Sequence, residues 1–137
     1  MMVTKLVWIA VGGAVGSVLR YLVGGWVQQA VGDWVQRAVG SEFPLGTLAV
    51  NVLGCFVLGV LAAMFVGPIL IREEYRLGLT VGLLGGFTTF STFGLETISL
   101  ANDAQWLSAA ANLVGSCLLG LAGAWLGYRL AESWFGV

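Results

Sequence analysis

Polar side chains are scarce in this sequence, and where they occur they align. Thr47, Asn51 and Gly54 recur at i, i+4 and i+7, while Ser108, Asn112 and Ser116 recur at i, i+4 and i+8, so each set marks one face of an otherwise apolar helix. Inside hydrocarbon a polar group needs a partner, water or a substrate. Hydrogen bonding between helices accounts for any single Ser or Asn. Two aligned stripes favour a lined pathway.

A third cluster is denser. The run Gly85-Gly86-Phe87-Thr88-Thr89-Phe90-Ser91-Thr92-Phe93 packs two glycines and four hydroxyl residues into nine positions. Glycine costs roughly 1 kcal/mol against alanine in a helix interior, and threonine offers its hydroxyl to the backbone. The run predicts a break near Gly85 to Thr89. Such backbone persists at membrane depth only when buried in protein or lining a cavity, and it frees carbonyl oxygens to bind a cation. A kink at a tight helix crossing is the plainer reading. Phe87, Phe90 and Phe93, at i, i+3 and i+6, share a face in a continuous helix. Packing explains them, although aromatic ring edges carry positive potential and can stabilise a small anion.

Other chemistry is excluded by what is missing. There is no histidine, no close cysteine pair, no set of convergent carboxylates and no phosphate-binding glycine loop beside a lysine, so an enzyme is not indicated. Cys55 and Cys117 lie in apolar runs and are expected to be small buried packing residues. With a net charge of −1 and no basic cluster, the sequence offers nothing to nucleic acid.

The elements that carry these residues follow from composition. The chain is 58% hydrophobic and 9% charged, against about 25% charged in soluble domains, so the lipid bilayer is its solvent. Crossing hydrocarbon takes about 20 apolar residues. Charges bound four stretches of that size: Glu42 to Arg72 encloses 29 uncharged residues, Arg76 to Glu96 19, and Asp103 to Arg129 25, while Lys5 to Asp33 encloses 27 interrupted only by Arg20. The expected architecture is an all-α membrane protein, a single domain over 1–137. Its four transmembrane helices are placed at 6–27, 45–71, 77–95 and 104–128, the third being shortest and broken near 85–89. The first apolar run is too long for a signal peptide and contains Arg20. All six tryptophans fall near proposed span ends. Between spans one and two, Val31, Trp34, Val35 and Ala38 at helical spacing suggest a short interfacial extension.

Four spans put Lys5, Arg72, Arg76 and Arg129 on one side and Arg37, with Arg20, toward the other. The bias weakly favours cytoplasmic termini. Arg20, about 22 Å along the helix from Lys5, approaches the opposite interface, where it snorkels to headgroups or draws anions toward a vestibule. Glu96, one turn after Thr92, reads as a boundary carboxylate. Glycines four apart at Gly12 and Gly16, at Gly78, Gly82 and Gly86, and at Gly123 and Gly127 let helices approach closely. Four helices alone enclose little room for an aqueous path, which points to an oligomer.

Three segments together resemble the Fluc family of fluoride channels, also called CrcB: Gly12-Gly13-Ala14-Val15-Gly16 leading to Arg20-Tyr21, Gly46-Thr47-Leu48-Ala49-Val50-Asn51-Val52-Leu53-Gly54, and Gly85 to Phe93. The resemblance covers nearly the whole chain. It implies an antiparallel, dual-topology homodimer in the cell inner membrane, with two fluoride pores and a central structural sodium ion. The sodium ligands it implies are the backbone carbonyls of Gly85 and Thr88. Phe90 and Phe93 become the pore phenylalanines facing Asn51 of the other subunit. Thr47, Ser91, Thr92 and Ser116 extend the polar track, with Arg20 and Glu96 near a pore mouth or vestibule. The sequence departs from the family at Gly120, where another hydroxyl can stand, and Asn112 has no counterpart to transfer. Fluoride is small and strongly hydrated, and amide N–H, hydroxyl O–H and aromatic edges are the groups that replace its water.

Two other readings compete. A proton-coupled exporter of lipophilic cations needs a carboxylate in mid-membrane, and the first span has no acid. A structural subunit of a larger complex would use the polar stripes as glue.

Overall fold

In a computed structural model, residues 2–39, 43–66 and 71–136 are described, and all regular structure among them is helical. The elements are α1 (Met2–Val39), α2 (Leu45–Val66), α3 (Glu73–Leu77), a π-helical segment (Gly78–Leu84), α4 (Gly85–Phe87), α5 (Phe90–Asn102) and α6 (Trp106–Phe135). Four stretches are long and apolar enough to span a bilayer: Met2–Arg37, Leu45–Val66, Glu73–Asn102 and Trp106–Phe135. The number and order of spans match the charge-bounded gaps.

Their limits differ. The third stretch, at 30 residues, is longer than the second, at 22, because helix continues through charged residues that the gap rule treats as ends. Glu73 and Arg76 lie in α3 and Glu96 lies within α5. The first stretch likewise runs past the expected end at 27 as regular helix, through the residues expected to form a short interfacial extension. The expected end of the second span, at 71, crosses residues 67–70, which lie outside the described residues.

Chain reversal is visible in side-chain pairing. Lys5 at the start of α1 is 2.5 Å from Glu73 at the start of α3, and the Trp8 and Tyr75 rings meet edge to face at 4.8 Å. The first and third spans therefore begin on one side, as two intervening crossings require. Arg72 pairs with Glu74 on that same side, an exposed contact of small energetic weight.

Helix α2 packs along α6, and α1 packs on the π-helical segment and α4. The second contact depends on glycine. A Cβ on Gly16 would stand 2.1 Å from the Leu83 carbonyl oxygen, so the two backbones touch where any side chain would part them. Large apolar side chains cover the outside, among them Leu22, Leu107, Leu121 and Trp134. Among the described residues the buried side chains are few: Val50, Ala63, Leu84, Phe87, Phe93, Leu100, Ala109 and Ala131, with the polar Thr89, Ser108 and Asn112. A surface of that kind is stable against lipid and not against water.

Cysteine placement differs from expectation. Cys55 is half-buried, and Cys117 is exposed. An apolar run in a membrane helix has outward-facing positions as well as packed ones, and both cysteines border one groove with Ser116 and Phe93.

Candidate functional site

The third span leaves helical geometry at two residues. After α4, Thr88 has φ −85° and ψ 159°, and Thr89 has φ −151° and ψ 117° before α5 begins at Phe90. Gly85, Gly86 and Phe87 remain helical, so extended backbone occupies less of the 85–89 run than its composition suggested. The π-helical turns before it carry no sequence signal beyond their glycines.

Two side chains secure this stretch. Asn51 of α2 donates Nδ2–H to the Thr89 carbonyl at 3.0 Å, and its Oδ1 accepts the Thr89 N–H at 2.8 Å. Thr89 then caps α5, its hydroxyl oxygen accepting the Thr92 N–H at 3.2 Å while its proton goes to Thr92 Oγ1 at 2.9 Å. These bonds divert two donors. In a continuous helix the Thr89 N–H would serve the Gly85 carbonyl and the Thr92 N–H the Thr88 carbonyl. Both carbonyl oxygens lose their usual partner, and among the described residues that of Thr88 accepts from Arg20 Nη1 at 3.5 Å. Two oxygens released from a helix ladder are hard, neutral ligands suited to a cation such as Na⁺. Among the described residues no three His, Cys, Asp or Glu side chains gather to offer another metal site.

The aromatic residues separate across the interruption. Phe87 and Phe93 are buried, whereas Phe90 is 83% exposed, so the common face expected of a continuous helix is lost. Phe90 and Phe93 stay neighbours on α5, with ring centroids 5.5 Å apart and planes inclined by 50°. They flank a groove of about 340 Å³ that Asn51, Thr88, Thr89 and Ser116 also line. At Gly54, the next position of the α2 stripe, a Cβ would stand 2.2 Å from the Thr88 methyl group. Gly120 lines the same groove and adds no donor.

A second groove, of about 540 Å³, gathers Arg20, Thr47, Thr89, Thr92 and Glu96. Thr89 lines both and stands where they adjoin. Thr47 donates its hydroxyl to Glu96 Oε1 at 2.7 Å, and Glu96 Oε2 is buried without a hydrogen-bond partner among the described residues. Arg20 and Glu96 lie within their helices and not at the helix ends. Helix α1 continues to Val39 beyond Arg20 and α5 to Asn102 beyond Glu96, which sets both side chains against the groove. Ser91 is exposed, its Oγ 3.4 Å from Thr89 Oγ1.

Residues 7–128 match the family described as CrcB-like protein, Camphor Resistance (CrcB). The chain belongs to the CrcB family. A protein of Geobacter sulfurreducens named fluoride-specific ion channel FluC is 47% identical over 129 residues, which is 94% of this chain and 98% of that one. Its namesake in Geobacter metallireducens is 45% identical over 127 residues, covering 93% and 96%. In Helicobacter pylori strain Shi470 a protein of the same name is 38% identical over 130 residues, covering 95% of each chain. These CrcB relatives are named as ion channels and not as enzymes.

Some site residues escaped the sequence. Gln28 of α1 holds the start of α2, accepting the Gly46 N–H at 3.0 Å and donating to the Phe43 carbonyl at 3.2 Å. Thr97 donates to the Phe93 carbonyl at 2.8 Å and accepts from Asn112 at 2.9 Å. A lone Gln and a lone Thr in apolar helices carry no pattern. Thr89 did carry one, a threonine placed to cap the helix that follows.

Proposed function

We propose that the chain forms a passive, fluoride-selective ion channel that lets cytoplasmic fluoride leave down its electrochemical gradient and so relieves its toxicity. The observation that carries this reading is the donor array around Thr89. In an apolar, four-span chain, Asn51, Thr88, Thr89, Ser116 and the exposed Phe90 line one groove, and Thr47, Thr89 and Thr92 line a second that adjoins it. The names of the CrcB relatives support the choice of ion.

Fluoride sheds strongly held water only if other donors replace it. Arg20 lends positive potential to the groove it shares with Thr47 and Thr92. Asn51 and Thr89 are largely engaged with each other, which leaves the hydroxyls of Ser91 and Thr92 and the ring edges of Phe90 and Phe93 to meet the ion, with Ser116 joining them when its proton leaves Asn112. Aromatic edges attract an anion weakly, and a conducting site must also release what it binds.

The assembly in this proposal is an antiparallel, dual-topology homodimer in the cell inner membrane, with two pores. An exposed Phe90 beside a groove open on one side supports a second copy as the missing wall. The Gly85 and Thr88 carbonyls would hold a structural sodium ion between the copies. When bound, that ion supplies a fixed positive charge and ties the two chains together. The chain is no enzyme in this reading. Vesicles containing the purified protein should release fluoride to a selective electrode while retaining chloride, and equal rates would reject the proposal.

A further inference from the structure

We infer that Asn112 controls how firmly Ser116 can hold an anion in the groove, a role that rests on the channel reading above. Asn112 lies on α6 and is 1% exposed. The bonds around it have only one consistent direction. The Phe93 carbonyl can only accept, and Thr97 Oγ1 gives it its single proton at 2.8 Å. Toward Asn112, therefore, the Thr97 hydroxyl must accept, which it does from Nδ2 at 2.9 Å. That requirement turns Asn112 Oδ1 the other way, where it accepts the Ser116 proton at 3.3 Å. The two ends of an amide are alike in shape, and here a carbonyl that cannot donate decides between them.

Ser116 lines the groove with Asn51 and Phe93, yet its only proton is committed inward. The bond is longer than usual for a hydroxyl donor, so an anion in the groove can compete for that proton. Competition of this kind lowers the hold of Ser116 on the ion, and conduction depends on such weak holding. Asn112 does not touch the ion. It is a positioning residue that acts through Ser116, anchored by Thr97.

The test measures fluoride flux against fluoride concentration in vesicles containing the reconstituted full chain. Asn112→Leu suits a buried site and releases the Ser116 proton. The half-saturating fluoride concentration should fall roughly five-fold, the worth of about one net hydrogen bond, and maximal flux should fall with it. Loss of packing alone would reduce flux without tightening the half-saturation. In a Ser116→Ala background, Asn112→Leu should have no further effect, since the two act as one unit. Thr97→Val frees the amide to turn and should shift half-saturation in the same direction, while Thr97→Ser should match the wild type. These two variants carry the test if Asn112→Leu does not fold. Absence of fluoride flux in the wild type would overturn the channel reading itself. Wild-type flux with half-saturation unchanged or raised in the tested variants, or additive loss in the double variant, would overturn the role of Asn112 alone.

Discussion

Asn51 and Thr89 exchange two hydrogen bonds, amide to carbonyl at 3.0 Å and backbone N–H to amide oxygen at 2.8 Å. One side chain thus pairs with an extended residue as a neighbouring strand would. In a membrane, where an unpaired peptide group has no water to turn to, this pairing lets two residues leave helical geometry. It also ties the polar stripe of α2 to the hydroxyl cluster of α5.

Removing that pairing should be costly. Asn51→Leu leaves the Thr89 N–H and carbonyl without partners, and should destabilise the fold by about 3 kcal/mol. Asn51→Asp keeps the acceptor and loses the donor, so its effect should be smaller. Thermal unfolding in detergent, followed by tryptophan fluorescence, ranks the two.

Gly54→Ala tests the same region from the other side. The added methyl would lie 2.2 Å from the Thr88 methyl group, so the extended segment must shift. Overpacking of this sort costs about 1–3 kcal/mol. Fluoride flux should fall, whereas Gly115→Ala on α6, where a Cβ meets nothing within 4 Å, should leave both stability and flux near wild type.

Thr47→Val removes the hydroxyl that donates from α2 to Glu96 Oε1. A bond to a charged acceptor is worth about 1.5–3 kcal/mol, so fluoride flux should fall roughly tenfold. Thr47→Ser should restore it. Vesicle recordings of the two variants side by side decide the matter.

The four spans were legible because crossing hydrocarbon demands length and excludes charge, and the intervals between Lys5, Asp33, Glu42, Arg72 and their successors obey that demand. Span ends were less legible. Glu96 is a charge inside a helix, tolerated where Thr47 and a groove receive it, and no local rule reveals a partner 49 residues away. The stripes of α2 and α6 could be read from spacing, and so could Asn51 and Ser116 as members of them. That Asn51 would pair with Thr89, or Asn112 with Thr97, depends on which faces meet after packing. Phe90 illustrates the limit: its exposure follows from two non-helical residues that rotate α5 against α4, an effect invisible to a fixed helical period.

The carbonyls of Gly85 and Thr88 make a further claim testable. Exchanging Na⁺ for N-methylglucamine on both sides of the membrane should lower fluoride flux and weaken the association of the two copies in detergent. Indifference of both readings to the exchange would remove sodium from the proposal.

The most direct test of the route concerns Phe90, the exposed ring at the groove. Phe90→Ile keeps bulk and apolarity and removes the aromatic edge, so fluoride release from vesicles should drop sharply while the purified protein still elutes as a dimer. Release at the wild-type rate from that variant would contradict the route proposed here.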